Sequence, residues 1–229
     1  MQQSLKLNPG LVAQENQRFG RSPALRKKVA LATQRAVYQH EQEEFIARLA
    51  SQELSRRSRE EYDPDFIARI NGLEDTAQFV RVHSGTEYWT AAIGFWPGAN
   101  FLMALDPRCK LVTPKYNPPR TFTPEGALGM GGASTCIYPV ATPGGYQIFG
   151  RTPVPTWDTT GRFPEFEGNI CLFRPTDRVK FTPVGLTEFE DIANQVATGC
   201  YRYNVVEYQR FSVKNYRDWT EKLDTERRF

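Results

Sequence analysis

Two cationic side chains lie between prolines in the middle of the chain, at Lys115 and Arg120. Both residue types bind carboxylates or polarise carbonyl groups, and arginine does so through a planar fork of donors. Neutral groups that suit an amide or ureido ligand accompany them: Tyr116, Asn117, Tyr138 and Gln147. Glu125 is a candidate general base, although a glutamate that follows a proline also suits the amides of a turn. Arg120 has a structural alternative as the ion-pair partner of Asp106 or Glu125.

The same stretch, from Thr113 to Thr152, holds six prolines and seven glycines. Proline stiffens the backbone, and glycine allows positive φ and the close approach of another group. Within Met130–Ala133, Gly131 and Gly132 are candidates to present N–H groups to an anion. Rigid turns with convergent polar groups predict the wall of a site. Prolines and glycines also punctuate the hairpins of a small β-barrel, so a purely structural interpretation stays open.

The sequence has only two histidines that could transfer protons. His40 falls on a predicted helix and is interpreted as a surface residue, whereas His83 ends a predicted strand and is a candidate to face the site. No Ser-His-Asp spacing and no HExxH motif stands out, so hydrolysis by a triad or by zinc has little support, and no metal site is predicted. Arg151 is a ligand candidate or an ion-pair partner of Asp158.

A long run of the sequence resembles a known family. The run KYNPPRTFTPEGALGMGGASTCIYPVATPGGYQIFGRT, with DFIARINGLED and LDPR upstream, is similar to the carboxyltransferase region of urea carboxylase and urea amidolyase. That family includes allophanate hydrolase subunit 1 and the B subunit of 5-oxoprolinase. The resemblance implies a cyclophilin-like β-barrel and a site for carboxyl transfer from carboxybiotin to urea. The positions that match are Lys115, Tyr116, Asn117, Arg120, Thr121, Glu125, Gly131, Gly132, Tyr138 and Gln147.

The resemblance also implies what the chain lacks. It contains no Ala-Met-Lys-Met biotinylation run and no Gly-rich ATP loop, and 229 residues leave no room for the other carboxyltransferase subdomains. We therefore expect no covalently bound cofactor. Biotin would reach the chain only on the carrier of a partner protein.

Composition narrows the class of protein. The net charge is +3 and the charges are dispersed, which argues against nucleic-acid binding. No apolar run approaches the roughly 20 residues that a membrane span needs, and the N-terminus lacks the apolar core of a secretion signal. Four scattered cysteines favour reduced thiols, and the prediction is a cytoplasmic protein.

The predicted fold is α+β and mainly β, a cyclophilin-like barrel with flanking helices. Residues 1–62 form a predicted N-terminal helical extension with a long helix over 24–55, and residues 63–229 form the carboxyltransferase subdomain. The long helix has an apolar stripe, so it should pack on the barrel or on a second copy. Strands are predicted at 78–83, 86–95, 109–113, 134–138, 145–150, 169–173, 178–182 and 201–211. Helices are predicted from Asp63, Thr187 and Ser212, and a frayed tail ends the chain.

Three functions follow. The first is a stand-alone enzyme that uses acid–base chemistry on a polar or carboxylated small molecule. The second is a subunit of a split biotin-dependent carboxyltransferase, completed by a partner carboxyltransferase subunit. The third is a binding or regulatory protein without turnover.

Overall fold

The structure is a computed structural model, and it describes residues 61–206, 210–225 and 227–229. Nearly all of the predicted N-terminal extension, including the long helix and His40, lies outside the described residues. The described part begins with the two residues that precede the first helix.

Two short helices come before the sheet, α1 (Asp63–Ile70) and α2 (Thr76–Ser84). Helix α1 has proline in its first turn, as the sequence predicts. Helix α2 replaces the strand predicted at 78–83, and that prediction was wrong. The carboxylate of Asp75 accepts a hydrogen bond from Gln78 N at 2.6 Å and so caps the helix. Phe79, Val82 and His83 then fall on one buried helical face.

Eight strands follow: β1 (Glu87–Ile93), β2 (Asn100–Ala104), β3 (Arg120–Thr123), β4 (Ala127–Gly131), β5 (Ser134–Ile137), β6 (Thr142–Gly144), β7 (Gln147–Arg151) and β8 (Arg178–Lys180). Six of them form an antiparallel sheet in the order β7-β4-β5-β2-β1-β8, and β3 pairs with β6. In the described ranges no closed barrel is found, so the predicted barrel is corrected to an open sheet. Strands β7 and β8 end the sheet on opposite sides without pairing, and closure needs continuous pairing.

Some of the other predicted strands are present and others are not. The strands predicted at 86–95, 134–138, 145–150 and 178–182 are present with shifted ends. The strands predicted at 109–113 and 169–173 are single bridges, Thr113 with Gly132 and Trp157 with Cys171. Residues 201–206 form no strand. Pro107 and Pro114 flank the first bridge segment, and Gly168 and Pro175 flank the second, which leaves both too short for a ladder.

Two helices close the chain, α3 (Leu186–Thr198) and α4 (Val213–Thr220). Ser212 caps α4 by accepting from Asn215 N at 3.3 Å, as predicted. The capping box predicted at Thr187 does not form, because α3 begins earlier, with Gly185 at its N-cap. The tail predicted to fray is docked, since the carbonyl of Phe229 accepts from Gln78 Nε2 at 3.1 Å.

The two faces of the sheet differ. Helices α1 and α2 cover one face, where Ile67, Phe79 and Val82 pack with Leu111 and Met130 in the main core cluster. Side chains alternate along a strand, so the neighbours of Met130 in β4, the glycines 129 and 131, face the other way. That second face carries the candidate site.

Within the described ranges, no helix combines the length and the apolar composition that crossing a membrane requires. No cluster of three or more His, Cys, Asp or Glu side chains there could hold a metal ion.

Candidate functional site

Tyr146 covers the glycine face of β4. A Cβ built on Gly131 would lie only 2.4 Å from Tyr146 Cδ1, so the ring rests directly on the strand backbone. Gly129 faces the same side, 2.9 Å from the Tyr146 Cβ by the same construction. The ring of Tyr138 meets that of Tyr146 edge-on, with 6.5 Å between centroids. Tyr146 is therefore the centre of this face.

Both predicted cations stack on aromatic rings. Lys115 Nζ lies 5.4 Å from the centroid of Tyr146, and the Arg120 guanidinium lies 5.0 Å from the centroid of Tyr116. Arg120 Nη2 donates to the carbonyl of Tyr146 at 2.6 Å and lies 3.5 Å from Thr123 Oγ1. Arg120 Nη1 is buried and has no hydrogen-bond partner among the described residues. Tyr146 thus links the two cations, because its ring lies beneath Lys115 and its carbonyl accepts from Arg120, which also stacks on Tyr116.

The alternative ion pairs of the arginines do not form in the described part of the chain. Asp106 is bound by Arg108, with Nη2 at 2.7 Å from Oδ2, and is not available to Arg120. Arg151 Nε donates to the carbonyl of Glu125 at 3.0 Å. Asp158 instead accepts hydrogen bonds from its own loop, at Thr160 and Arg162. Burial alone would raise the pKa of Asp158, but those hydrogen bonds outweigh it and the pKa is lowered.

Tyr116 is anchored at both ends. Its N–H donates to the carbonyl of Gly145 at 2.6 Å, and its hydroxyl donates to Asp63 Oδ1. The second oxygen of Asp63 accepts from Ile148 N at 2.6 Å. Asp63 is thus more than the helix-start residue that the sequence predicts.

The remaining predicted residues occupy different places. Asn117, Thr121 and Glu125 are exposed along the same stretch. Tyr138 and Glu125 line a pocket of about 70 Å³ with Arg151 and Thr152. Burial raises the pKa of Tyr138, so its hydroxyl stays protonated and can act as a donor. Asn117 precedes a cis peptide bond to Pro118.

Gln147 and Gly132 serve the backbone. Gln147 is completely buried, and its Nε2 donates to the carbonyl of Pro114 at 2.9 Å. The N–H of Gly132 donates to the carbonyl of Thr113 at 2.8 Å, so this donor is already used and is not offered to an anion. Gly131 contributes space for Tyr146.

His83 lies in the aromatic core and not beside the two cations. The rings of Phe79, Tyr88, Phe149 and Phe181 all lie within 5.8 Å of it, centroid to centroid. Its Nε2 is 3.1 Å from Thr135 Oγ1. Burial lowers the pKa of His83 to about 3, so the ring is neutral near pH 7. A neutral ring enclosed in this way is a packing residue.

Tyr146 and Asp63 are absent from the residues predicted from the sequence. Tyr146 stands in the PGGYQ segment beside residues that were selected, and an aromatic residue after two glycines was the available signal. Asp63 had no such signal, because its partners Tyr116 and Ile148 are 53 and 85 residues away along the chain.

An antiparallel sheet with helices on one face and aromatic-stacked cations on the other defines an α+β protein with a candidate site for a small polar ligand. Residues 25–166 match the family model described as carboxyltransferase domain, subdomain C and D, so the chain belongs to this family.

Curated relatives come from two kinds of protein. The chain is 35% identical over 156 residues to urea amidolyase of Saccharomyces cerevisiae, a match covering 68% of this chain and 8% of the relative. It is 40% identical over 117 residues to the B subunit of 5-oxoprolinase from Escherichia coli O157:H7, covering 51% of this chain and 50% of the relative. With the corresponding 5-oxoprolinase protein of Bacillus subtilis, the identity is 32% and the coverage 64% and 62%. The chain therefore spans less than two thirds of each of these relatives.

Solved structures give the same family. The urea carboxylase of Kluyveromyces lactis superposes with a TM-score of 0.65 at 32% identity, over 71% of this chain and 14% of that one. The urea amidolyase of K. lactis gives a TM-score of 0.66 at 31% identity, over 77% and 11%.

Proposed function

We propose that this chain is a subunit of a carboxyltransferase-family enzyme and binds the carboxylate of a small lactam or amide substrate beside Lys115 and Arg120. The observation that carries the proposal is the guanidinium of Arg120. It is fixed by a ring and a carbonyl, yet it retains a buried donor, Nη1, with no partner among the described residues. A buried donor left unsatisfied costs about 1–3 kcal/mol, and a ligand oxygen would recover that cost.

The charge of the site favours an anionic ligand. Lys115 and Arg120 are held by aromatic rings, and in the described part of the chain neither pairs with a carboxylate. The relatives' names offer two substrates, 5-oxoproline and urea. 5-Oxoproline carries a carboxylate together with a lactam amide, whereas urea is neutral. The two cations therefore favour a carboxylated lactam of the 5-oxoproline kind.

A subunit explains the site better than a stand-alone enzyme does. The pocket beside Glu125 measures about 70 Å³, below the roughly 300 Å³ of most small-molecule sites, and neither Lys115 nor Arg120 lines it. His83, the histidine within the described residues, is buried and neutral, so it is not placed for acid–base work. We therefore propose that a partner carboxyltransferase subunit or a second copy supplies the facing wall. On this proposal, biotin is not attached to this chain and arrives only on the carrier of a partner protein. An intact-mass measurement that finds a biotin adduct would contradict it.

The test is an NMR titration of the ¹⁵N-labelled full chain with 5-oxo-L-proline and, separately, with urea. Arg120→Ala and Lys115→Ala should each weaken 5-oxoproline binding by roughly ten- to hundredfold, the usual loss of a charged hydrogen bond. Arg120→Lys should also weaken it, because the charge remains but the fork is lost. Arg81→Ala, an exposed arginine on α2, is the matched control and should change nothing.

Thermal unfolding of each variant separates binding from folding. Unchanged 5-oxoproline binding in all three site variants contradicts the proposed site. Absence of binding by the wild-type chain up to tens of millimolar contradicts the ligand and favours the regulatory alternative.

A further inference from the structure

The carboxylate of Asp63 links three separate parts of the chain. Asp63 is the first residue of α1, its Oδ1 accepts from the hydroxyl of Tyr116, and its Oδ2 accepts from Ile148 N in β7 at 2.6 Å. A carboxylate that accepts from donors on both oxygens has a fixed orientation, because rotation would break one of the bonds. The side chain thus joins the helix layer to the strand that borders the site.

The ring of Tyr116 inherits that orientation. Its backbone N–H donates to Gly145 O at 2.6 Å, which holds the backbone, and its hydroxyl is held by Asp63, which holds the far end of the side chain. With the backbone held, the bond to the hydroxyl restricts χ1, and the preference of a phenolic O–H for the ring plane favours one setting of χ2. The place of the ring under Arg120 therefore depends on Asp63, which also favours the ring plane that contains the O–H bond.

Arg120 depends on this ring for one of its restraints. The guanidinium has the Tyr116 centroid at 5.0 Å and the Tyr146 carbonyl at 2.6 Å from Nη2. Together they fix both the plane and the in-plane rotation, and hence the direction of Nη1. A phenol that donates to a carboxylate also gains electron density in its ring, which strengthens its attraction for a cation.

Asp63 stands one ring away from the ligand face. Its two oxygens accept from Tyr116 and Ile148, and the ring of Tyr116 lies between the carboxylate and Arg120. A carboxylate in direct contact with Arg120 would neutralise the cation and compete with an anionic ligand. The intervening phenol fixes the arginine without such an ion pair.

We infer that Asp63 is a positioning residue that acts through Tyr116 on the guanidinium of Arg120, which rests on the proposed function of that arginine in binding a carboxylate. Loss of the Asp63–Tyr116 hydrogen bond keeps Lys115 and Arg120 at the site, but the direction of Arg120 Nη1 is no longer fixed. The expected loss of 5-oxoproline affinity is roughly three- to tenfold, the range of one hydrogen bond.

Two variants test the inference. Tyr116→Phe removes the hydroxyl and keeps both the ring and the Asp63–Ile148 bond. Asp63→Asn keeps the shape but replaces one acceptor oxygen with an NH₂ donor. The ¹⁵Nε–Hε NMR signal of Arg120 is recorded without ligand, and 5-oxoproline affinity is measured in parallel. Tyr62→Phe, an exposed tyrosine next to Asp63, is the matched control.

The inference predicts that both variants shift or broaden the Arg120 signal, that each binds 5-oxoproline more weakly, and that the double variant is no worse than Asp63→Asn. Unchanged Arg120 signals in both variants overturn it, even if thermal stability falls, because Asp63 would then only support the fold. If the Arg120 signal responds but the wild-type chain binds no 5-oxoproline, the positioning role stands and the proposed ligand is the part that fails.

Discussion

The ring of Tyr146 occupies the space that a side chain at Gly131 would need. A Cβ on Gly131 would lie 2.4 Å from Cδ1 and 2.5 Å from Cε1 of that ring, far inside any contact distance. The Lys115 ammonium lies 5.4 Å from the centroid of the same ring. The missing side chain of Gly131 therefore sets how deeply Tyr146 lies and, with it, where the two cations are held.

Gly131→Ala should disturb the site and the fold together. The methyl group must displace the Tyr146 ring, and overpacking of this kind costs about 1–3 kcal/mol of unfolding free energy. Chemical denaturation and the 5-oxoproline titration give the two values. Gly94→Ala is the control, because its Cβ would have its nearest neighbour, Phe101 Cε2, at 3.6 Å. Equal stability of the two alanine variants would contradict the close packing described for Gly131.

His83 should make the protein sensitive to acid. Its pKa is about 3 in the folded chain and 6.5 as an unperturbed side chain. The unfolded chain therefore binds the extra proton first as the pH falls. The free energy of unfolding therefore keeps its full value above pH 6.5. It falls by about 1.4 kcal/mol per pH unit as the pH is lowered from 6.5 towards 3.

The measurement compares the wild-type chain with His83→Phe in urea titrations at pH 7, 6, 5 and 4. The variant loses the partner of Thr135, which lowers its stability by a similar amount at every pH. Its slope with pH should be shallower than that of the wild type below pH 6.5. Parallel slopes would mean that His83 takes up its proton as readily in the folded chain as in the unfolded chain.

The cysteines should differ sharply in reactivity. Cys109 and Cys136 are buried, and burial raises the pKa of each thiol to about 12. Cys200 is exposed. A thiol-exchange reagent at pH 8 should label Cys200 first, and Cys200→Ser should remove the fast phase. Cys109 and Cys136 should label only in denaturant, and rapid labelling of either in the native chain would show that the core there is open.

At position 95, glycine should suit the backbone better than a residue with a side chain. Phe95 has φ +70° and is 68% exposed in the turn between β1 and β2, a backbone conformation that any residue with a Cβ adopts at a cost. Phe95→Gly should be more stable than Phe95→Ala by about 1 kcal/mol, because alanine keeps the unfavourable φ. Thermal unfolding of the pair isolates the backbone from the lost ring. A more stable alanine variant would contradict the positive φ.

The sequence predicts the elements whose signals are local. The helix after Ser212 and the end of α3 at Gly199 rest on cap residues within one turn, and both are present. Helix α2 was predicted as a strand because Phe79, Val80 and Val82 have strand propensity, whereas the Asp75 cap and burial on the sheet favour a helix. Barrel closure depends on which strands meet, and a single strand carries no signal for that.

The site divides on the same basis. Lys115, Tyr116 and Arg120 are close in sequence, so a local pattern was enough to select them as candidates, and their part in binding stays a prediction. Asp63 reaches Tyr116 only because α1 lies next to the start of β7, a long-range contact that no spacing reveals. Gln147 has a polar side chain but uses it on the carbonyl of Pro114, a role that burial decides.

The strand order separates the sheet into halves with different duties. Strand β4 bears the two glycines of the candidate site, and Tyr138 and Tyr146 stand directly beside the ends of β5 and β7, whereas β2, β1 and β8 lie beyond β5. Sequence changes in the far half can alter the robustness of the domain while the ligand face keeps its shape. Ligand specificity and folding stability can therefore change separately during evolution. For protein engineers, the far half is a region where stability can be altered without changing ligand recognition.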